Sequence, residues 1–318
     1  MKALLRGWLC VAFMVATGVV QARESIAIIV PGTPGGAPDL MARSVANILQ
    51  KALDADVVVH NLAGANGELA VRRFWLASPE SHTLLLSQDS VLVVNPHLYG
   101  RDVKEPWLLG QPVAGVGRND NYLWVREDDA SNSLNTLWAS RRARAQSVTL
   151  GTGGVGSMAH LMGLALQTQA GVAVLHVPYK SNSEALAGLL RGEVDCVISG
   201  TAAMPLLKAG RLKALAMMGA ARSRLLPDVP SVMQNHAGFH FSPWFGVLAH
   251  RQASPEFVNR VAHALDAGLA DADTQQLLLS QGGITAAYTA QPAFVRTLKS
   301  DYERYGQLTQ RLTLTPAP

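Results

Sequence analysis

The sequence predicts an α/β protein of two domains. Short apolar runs that read as buried strands alternate with helically spaced segments almost throughout, the pattern of parallel sheets flanked by helices. The chain has 318 residues, the length of about two domains at about 150 residues each. Hydrophobic residues make up 48% and charged residues 16%, enough apolar surface to offset chain entropy, which excludes intrinsic disorder. The 28 Gly and 16 Pro fall without period and exclude a collagen-like or low-complexity chain, while 2 Cys exclude a disulfide scaffold or a multi-cysteine zinc module.

In chain order, residues 1–22 (MKALLRGWLCVAFMVATGVVQA) come first and read as an address. Lys2 and Arg6 form a positive start, an apolar run follows from Trp8 to Val20, and Val20-Gln21-Ala22 is a small-residue cleavage site. This is the three-part pattern of a secretory signal peptide, and the run is too short for a membrane span. Cleavage near Ala22 removes Lys2, Arg6 and Cys10, lowers the formal net charge of +4 by two and leaves Cys196 as the lone thiol. So small a basic excess gives no clustered face for nucleic acid.

Strands are expected at 25–30, 57–60, 83–87, 122–126, 147–150, 172–177, 196–199, 212–217 and 245–249, each a short apolar run bounded by turn residues. Helices are expected at 39–53, 68–76, 134–145, 157–170, 183–191, 255–270 and 291–310. Ser181-x-x-Glu184 reads as a capping box, and Ser254-Pro255-Glu256 as a cap residue, a first-turn proline and an early acid. The basic run Arg141-Arg142-Ala143-Arg144 falls at a helix C-terminus, where cations complement the dipole. Domain one takes residues 23–123 with 245–318, and domain two takes 124–244.

Ligands in open parallel sheets sit beyond the carboxyl ends of the strands. Two loops there are glycine-rich and enter helices. Pro31–Asp39 (PGTPGGAPD) follows the first strand, with Asp39 placed to cap the helix or join its first turn. Gly151-Thr152-Gly153-Gly154-Val155-Gly156 precedes the helix from Ser157. Backbone amides, a positive dipole end and the hydroxyls of Thr152 and Ser157 make such a loop a nest for an anion. Its literal G-x-G-x-x-G raises a dinucleotide fold, but no carboxylate stands about 20 residues on, where 175–180 read LHVPYK.

Catalytic and metal patterns are sparse. No G-x-S-x-G elbow is present, and a hydrolase built on Ser157 and His160 lacks a third member. His236 and His240 have the spacing of a helical metal pair, but Gly238 between them argues for a loop. Cys196 lies in an apolar strand and reads as a buried small hydrophobe.

Seven blocks together resemble the Bug family of periplasmic solute-binding proteins, the receptors of tripartite tricarboxylate transporters. They are IVPGTPGGAPDLMAR (29–43), VVVHNLAGANGELA (57–70), TLLLSQDSVLVVNPHLY (83–99), GTGGVGSMAHL (151–161), VLHVPYKSNSEALAGLLRGEVDCVIS (174–199), LKAGRLKALAMMGAARSRLLPDVPSV (207–232) and SPWFGVLA (242–249). The resemblance implies a two-lobed, Venus-flytrap periplasmic-binding-protein fold, each lobe a mostly parallel sheet flanked by helices. It implies a monomeric, non-enzymatic receptor without cofactor or metal. That receptor would take a small organic acid and deliver it to an inner-membrane transporter, or dock on a sensor kinase. Carried over by motif, the ligand site comprises Thr33, Gly35 and Gly36; Ser87, Gln88 and Asp89; Thr152, Gly153, Gly156 and Ser157; Tyr179 and Lys180; and Ser199 and Thr201.

The sequence departs from the family pattern at four places. Gly32 replaces an aromatic, Gly153 stands where proline is frequent, Ser199-Gly200 stands where Asp or Asn is frequent, and Asp89 replaces a small neutral residue. Asp89 either faces the pocket, where it repels a carboxylate unless a cation or donor intervenes, or points to solvent or caps a turn.

Overall fold

The computed structural model describes residues 23–78, 81–98, 109–171, 173–219, 221–234, 236, 239 and 241–310. The expected signal peptide, His240 and the glycine between the two histidines lie outside them.

The first sheet has six strands. β1 (Ser25–Val30), β2 (Asp56–Asn61) and β3 (His82–Gln88) are joined by helices α1 (Ala37–Leu53) and α2 (Glu68–Trp75). After β3 the chain makes a single π-helical turn (Ser90–Val94) and the short α3 (Asn95–Leu98), then enters β4 (Gln111–Asn119). The second sheet takes β5 (Tyr122–Arg126), α4 (Leu134–Ala143), β6 (Val148–Thr152), α5 (Met158–Ala170), β7 (Val174–Pro178), α6 (Asn182–Arg191), β8 (Cys196–Ser199), α7 (Met204–Lys208) and β9 (Leu212–Met217). The chain then returns to the first sheet through β10 (Trp244–Ala249), α8 (Pro255–Leu269), α9 (Ala272–Leu277), β11 (Ile284–Ala290) and α10 (Gln291–Gln310). The strand orders are β11-β4-β10-β3-β1-β2 and β7-β6-β8-β5-β9.

Both sheets are mixed. β1 pairs in parallel with β2 and β3, and β6 in parallel with β7 and β8. β10 runs antiparallel to β3 and β4, β11 to β4, and β5 to β8 and β9. β5 and β10, the strands on which the chain enters each sheet from the other, run against the parallel strands of that sheet, and β11 at the edge of the first sheet does so too.

Packing follows the apolar spacing. Met41, Val45, Ile48 and Leu49 of α1 and Val261 and Leu265 of α8 cover one face of the first sheet. The opposite face meets α2, the π turn and α10, and this cluster continues through Phe239 and Phe241 to Leu161, Leu166 and Leu215 beside the second sheet. The two lobes therefore share one continuous core on that side. A separate cluster around Tyr122, Trp124, Leu186 and Leu189 fills the far face of the second sheet. Gly246 in β10 lets α10 come close: a Cβ there would lie 2.1 Å from the Phe294 ring.

Two strands and several short helices escape the sequence reading. β4 (QPVAGVGRN) carries two glycines, and β11 (ITAAYTA) is rich in alanine, so neither shows a strand's apolar run. Ser254 accepts from the Phe257 amide with Pro255 in the first turn, as its sequence implies. At Ser181 only half of the expected box forms, because the Glu184 carboxylate takes the Lys180 amide instead. A reciprocal box forms between Ser133 and Thr136, with threonine in place of the usual Glu or Gln.

Candidate functional site

Because β1, β2 and β3 are parallel, the loops that follow them share one edge of the first sheet. The loop after β1 holds Thr33 and Gly35 exposed and Gly36 half-buried, with Gly35 at φ 81°. The Gly35 amide donates to Asp39 Oδ2 at 2.8 Å, and Arg43 Nε donates to the same oxygen at 3.0 Å. Asp39 is thus the resident anion of this turn, and its burial is offset by those two donors.

The loop after β3 is committed inward. Ser87 is fully buried, and Gln88 Nε2 donates to Ser90 Oγ at 3.1 Å. Asp89 is 2% exposed and accepts the Ser90 amide at 2.8 Å, so it caps the π turn inside the lobe. Burial, then the charge of Asp301, pushes its pKa up to about 7.

The loop after β2 was not assigned a role by motif, yet it is the most strained segment of this edge. Gly64, Ala65, Asn66 and Gly67 have φ of 131°, 45°, 51° and 94°. Two of these four are not glycine, and such conformations persist only where neighbours impose them. Fully buried Asn95 does so, accepting from Asn66 Nδ2 at 2.7 Å while its own Nδ2 donates to Asn66 O at 2.8 Å and Glu68 Oε1 at 2.9 Å. A Cβ on Gly67 would meet both Pro31 and Val91, so this loop wedges between the other two.

On the second sheet β6, β7 and β8 are parallel, and their loops likewise share an edge. The glycine-rich loop turns through Gly154 (φ 124°) and Gly156 (φ 77°) into α5. Ser157 caps α5 by accepting the His160 amide at 3.3 Å. The amides of Met158 and Ala159 precede any intrahelical acceptor, so the positive end of α5 faces the loop. Thr152 is buried, its Oγ1 2.6 Å from His176 Nε2 and within 3.3 Å of the Gly154 amide. A Cβ on Gly153 would lie 2.6 Å from Asn182 Oδ1, which explains why no larger residue stands there.

The remaining expected residues divide. Tyr179 turns away from the loop, its hydroxyl donating to Glu193 Oε2 at 3.0 Å over Gly188. Lys180 is exposed and, among the described residues, is the only cationic residue in the loops that directly follow the parallel strands. Ser199 is 1% exposed, its carbonyl accepting Trp124 Nε1 at 2.9 Å. Thr201 begins the next short helical turn. Beside them, Gly200 abuts Asn119 and Asp120 of the strand crossing, where Ser223 Oγ donates to Asp120.

The two edges meet. A Cβ on Gly156 would lie 2.2 Å from Leu98 Cδ1 and 3.9 Å from Asn66 Nδ2, so the glycine-rich loop of one lobe lies directly against the strained loop of the other. Asn66, Asn95 and Leu98 are therefore site-edge residues that sequence reasoning missed; the glycines at 64 and 67 around Asn66 were their only signal. The serine–histidine pair is not arranged for nucleophilic catalysis: Ser157 Oγ bonds the His160 backbone amide, while the ring Nδ1 accepts the Gly156 amide at 3.1 Å. Cys196 is buried, its thiol pKa raised by burial. Among the described residues no group of three metal-ligating side chains occurs, and no helix is long and apolar enough to cross a membrane.

This geometry agrees with what the chain resembles. Protein BugT of Bordetella pertussis is 31% identical over 264 residues, covering 81% of this chain and 80% of BugT. The structure of the periplasmic binding protein BugD superposes with a TM-score of 0.77 at 26% identity, covering 90% of this chain and 96% of BugD. A Rhodopseudomonas palustris protein solved with adipate gives a TM-score of 0.82 at 25% identity, with 92% of this chain and 97% of that one covered. Residues 41–314 match the family model of the tripartite tricarboxylate transporter family receptor, and the chain belongs to that family of two-lobed solute-binding receptors.

Proposed function

We propose that the protein is an exported receptor that closes two lobes, 23–123 with 245–318 and 124–244, on a small organic dicarboxylate in the periplasm. It would hand that acid to an inner-membrane transporter. The observation that carries this reading is the meeting of two loop edges at Gly156 and Asn66. Those edges offer backbone amides, hydroxyls and the N-terminus of α5, with the exposed Lys180 beside them. Such an arrangement suits an anion bound by neutral donors, whose affinity differs between open and closed states and so drives closure. The adipate held by the structural neighbour is an acid of this class. Within the expected set, Thr33, Gly35, Gly36, Thr152, Gly153, Gly156, Ser157, Lys180, Ser199 and Thr201 remain the proposed ligand side.

The test is mass spectrometry of small molecules released from natively purified protein, with a thermal-shift screen of adipate, malate and citrate. A stoichiometric carboxylate, or a saturable shift with one of these acids, is the expected result. A released nucleotide, or no response to any carboxylate, would remove the reading. Thr152→Ala combined with Ser157→Ala is expected to weaken carboxylate binding about tenfold or more while the far-ultraviolet circular dichroism stays native, since each change removes a hydroxyl that shapes the loop. Unchanged affinity would dismiss the glycine-rich loop as the binding element.

A further inference from the structure

Beneath the glycine-rich loop lie two histidines that do not face the proposed ligand side. His160, in the first turn of α5, is 4% exposed, and His176 lies in β7. Their rings stack face to face, centroids 3.7 Å apart and planes within 11°. Each ring holds one end of the loop. Gly156 N–H donates to His160 Nδ1 at 3.1 Å, which fixes His160 as the tautomer protonated on Nε2. His176 Nε2 lies 2.6 Å from Thr152 Oγ1, which in turn lies 3.2 Å from Gly154 O and 3.3 Å from Gly154 N. The path Gly154–Thr152–His176–His160–Gly156 is therefore a closed brace that spans the loop and touches no exposed surface at His160.

We propose that His160 and His176 are positioning residues of the ligand site: as a stacked, uncharged pair they hold the glycine-rich loop by its Gly154 and Gly156 amides, and so keep the unpaired Met158 and Ala159 amides of α5 facing an incoming anion. This rests on the carboxylate-receptor reading above. A proton on His160 Nδ1 would set two N–H donors against each other at Gly156, and a charge on both rings would set two cations in contact. Burial lowers the pKa of both to about 4, with the neighbouring His176 adding to the effect at His160. The charged groups of adjoining elements are engaged elsewhere. Asp195, ahead of β8, binds Arg141 and Thr149, and Asp301 of α10 binds Arg304 and Trp244.

Nuclear magnetic resonance on ¹⁵N-labelled protein tests the brace without any ligand. At neutral pH the expected results are a coupling across the hydrogen bond between Gly156 N and His160 Nδ1, and a proton fixed on His160 Nε2. As pH falls below 5, the Gly154 and Gly156 amides should shift together with the rings, ahead of any loss of circular dichroism. A tautomer mixture at His160, rings titrating near their ordinary 6.5, or loop amides that ignore the rings would overturn the proposal. The binding arm uses adipate, malate and citrate at pH 7.5. His160→Phe and His176→Phe keep a ring in the stack but lose the nitrogen, and are expected to weaken binding about tenfold or more. His160→Asn places an acceptor at the Nδ1 position and His176→Gln a polar atom at the Nε2 position, so both should recover most of the affinity. Phenylalanine variants that bind as the wild type does would overturn the proposal. Wild-type protein that binds none of the three acids would count against the receptor reading, and the neutral-pH coupling and tautomer would then decide the brace by themselves.

Discussion

Asp89→Asn is expected to stabilise the protein at pH 8 by roughly 3–4 kcal/mol and to leave it nearly unchanged at pH 4. Asp89 is buried among Trp244, Asp301, Arg304 and Tyr305, with one carboxylate oxygen satisfied by the Ser90 amide and the other buried without a partner. Burial and the nearby Asp301 raise its pKa from 3.8 to about 7. A raised folded-state pKa means that the native state holds the proton longer than the unfolded state does. The stability associated with the neutral carboxyl is therefore complete below about pH 4 and is lost as pH rises through about 7. Asparagine keeps the shape and an acceptor for the Ser90 amide but never ionises. The two stacked histidines act with the opposite sign: their lowered pKa values contribute stability above 6.5 that fades as pH falls toward about 4. The wild-type profile sums these trends, so the informative quantity is the difference between variant and wild type in urea midpoints from pH 4 to 8. A difference that does not grow with pH would show that Asp89 is not held neutral.

Asp89 also shows where sequence legibility ended. Its position after β3 was plain from the apolar run TLLLS and the polar residues behind it. Its direction was not, because the π turn that swings it under α10 leaves no local signature: Asp301 and Tyr305 are more than two hundred residues away. β1, β5, β8 and β9 were readable to the residue, since each is a short apolar run between turn signals. β4 and β11 were not, because glycine and alanine in them are chosen for close packing, as where a Cβ on Gly115 would meet Thr289 and Phe294. Glycine-rich loops announced themselves on both lobes. Which of their amides are already taken, as Gly35 is by Asp39 and Gly156 by His160, depends on contacts that spacing alone does not encode.

Asp195→Ala is expected to cost about 2–3 kcal/mol of stability, since it strips a part-buried carboxylate from several donors at once. Asp195 accepts Arg141 Nη2 at 2.6 Å through one oxygen, and the Thr149 amide and hydroxyl, each at 2.8 Å, through the other. Burial acts to raise its pKa, but the Arg141 hydrogen bond and the Thr149 donors outweigh it, and the carboxyl ends below its ordinary value. Its contribution is therefore present above the unfolded value of 3.8 and is lost as pH falls below it. Asp195→Asn should fall between wild type and alanine, because the amide oxygen still accepts from Thr149 while the attraction for Arg141 is gone. A Thr149→Val cycle measured in urea would separate the two parts, and an alanine variant as stable as wild type would dismiss the network. In sequence, Gly192-Glu193-Val194-Asp195 lies within a block that carries the family resemblance. Strand polarity keeps it away from the proposed site: Asp195 precedes β8, whereas the proposed ligand-side loops follow the carboxyl ends of β6, β7 and β8. A carboxylate at the amino end of a parallel strand is a full strand length from those loops, so loss of Asp195 should lower stability without changing which acid is bound.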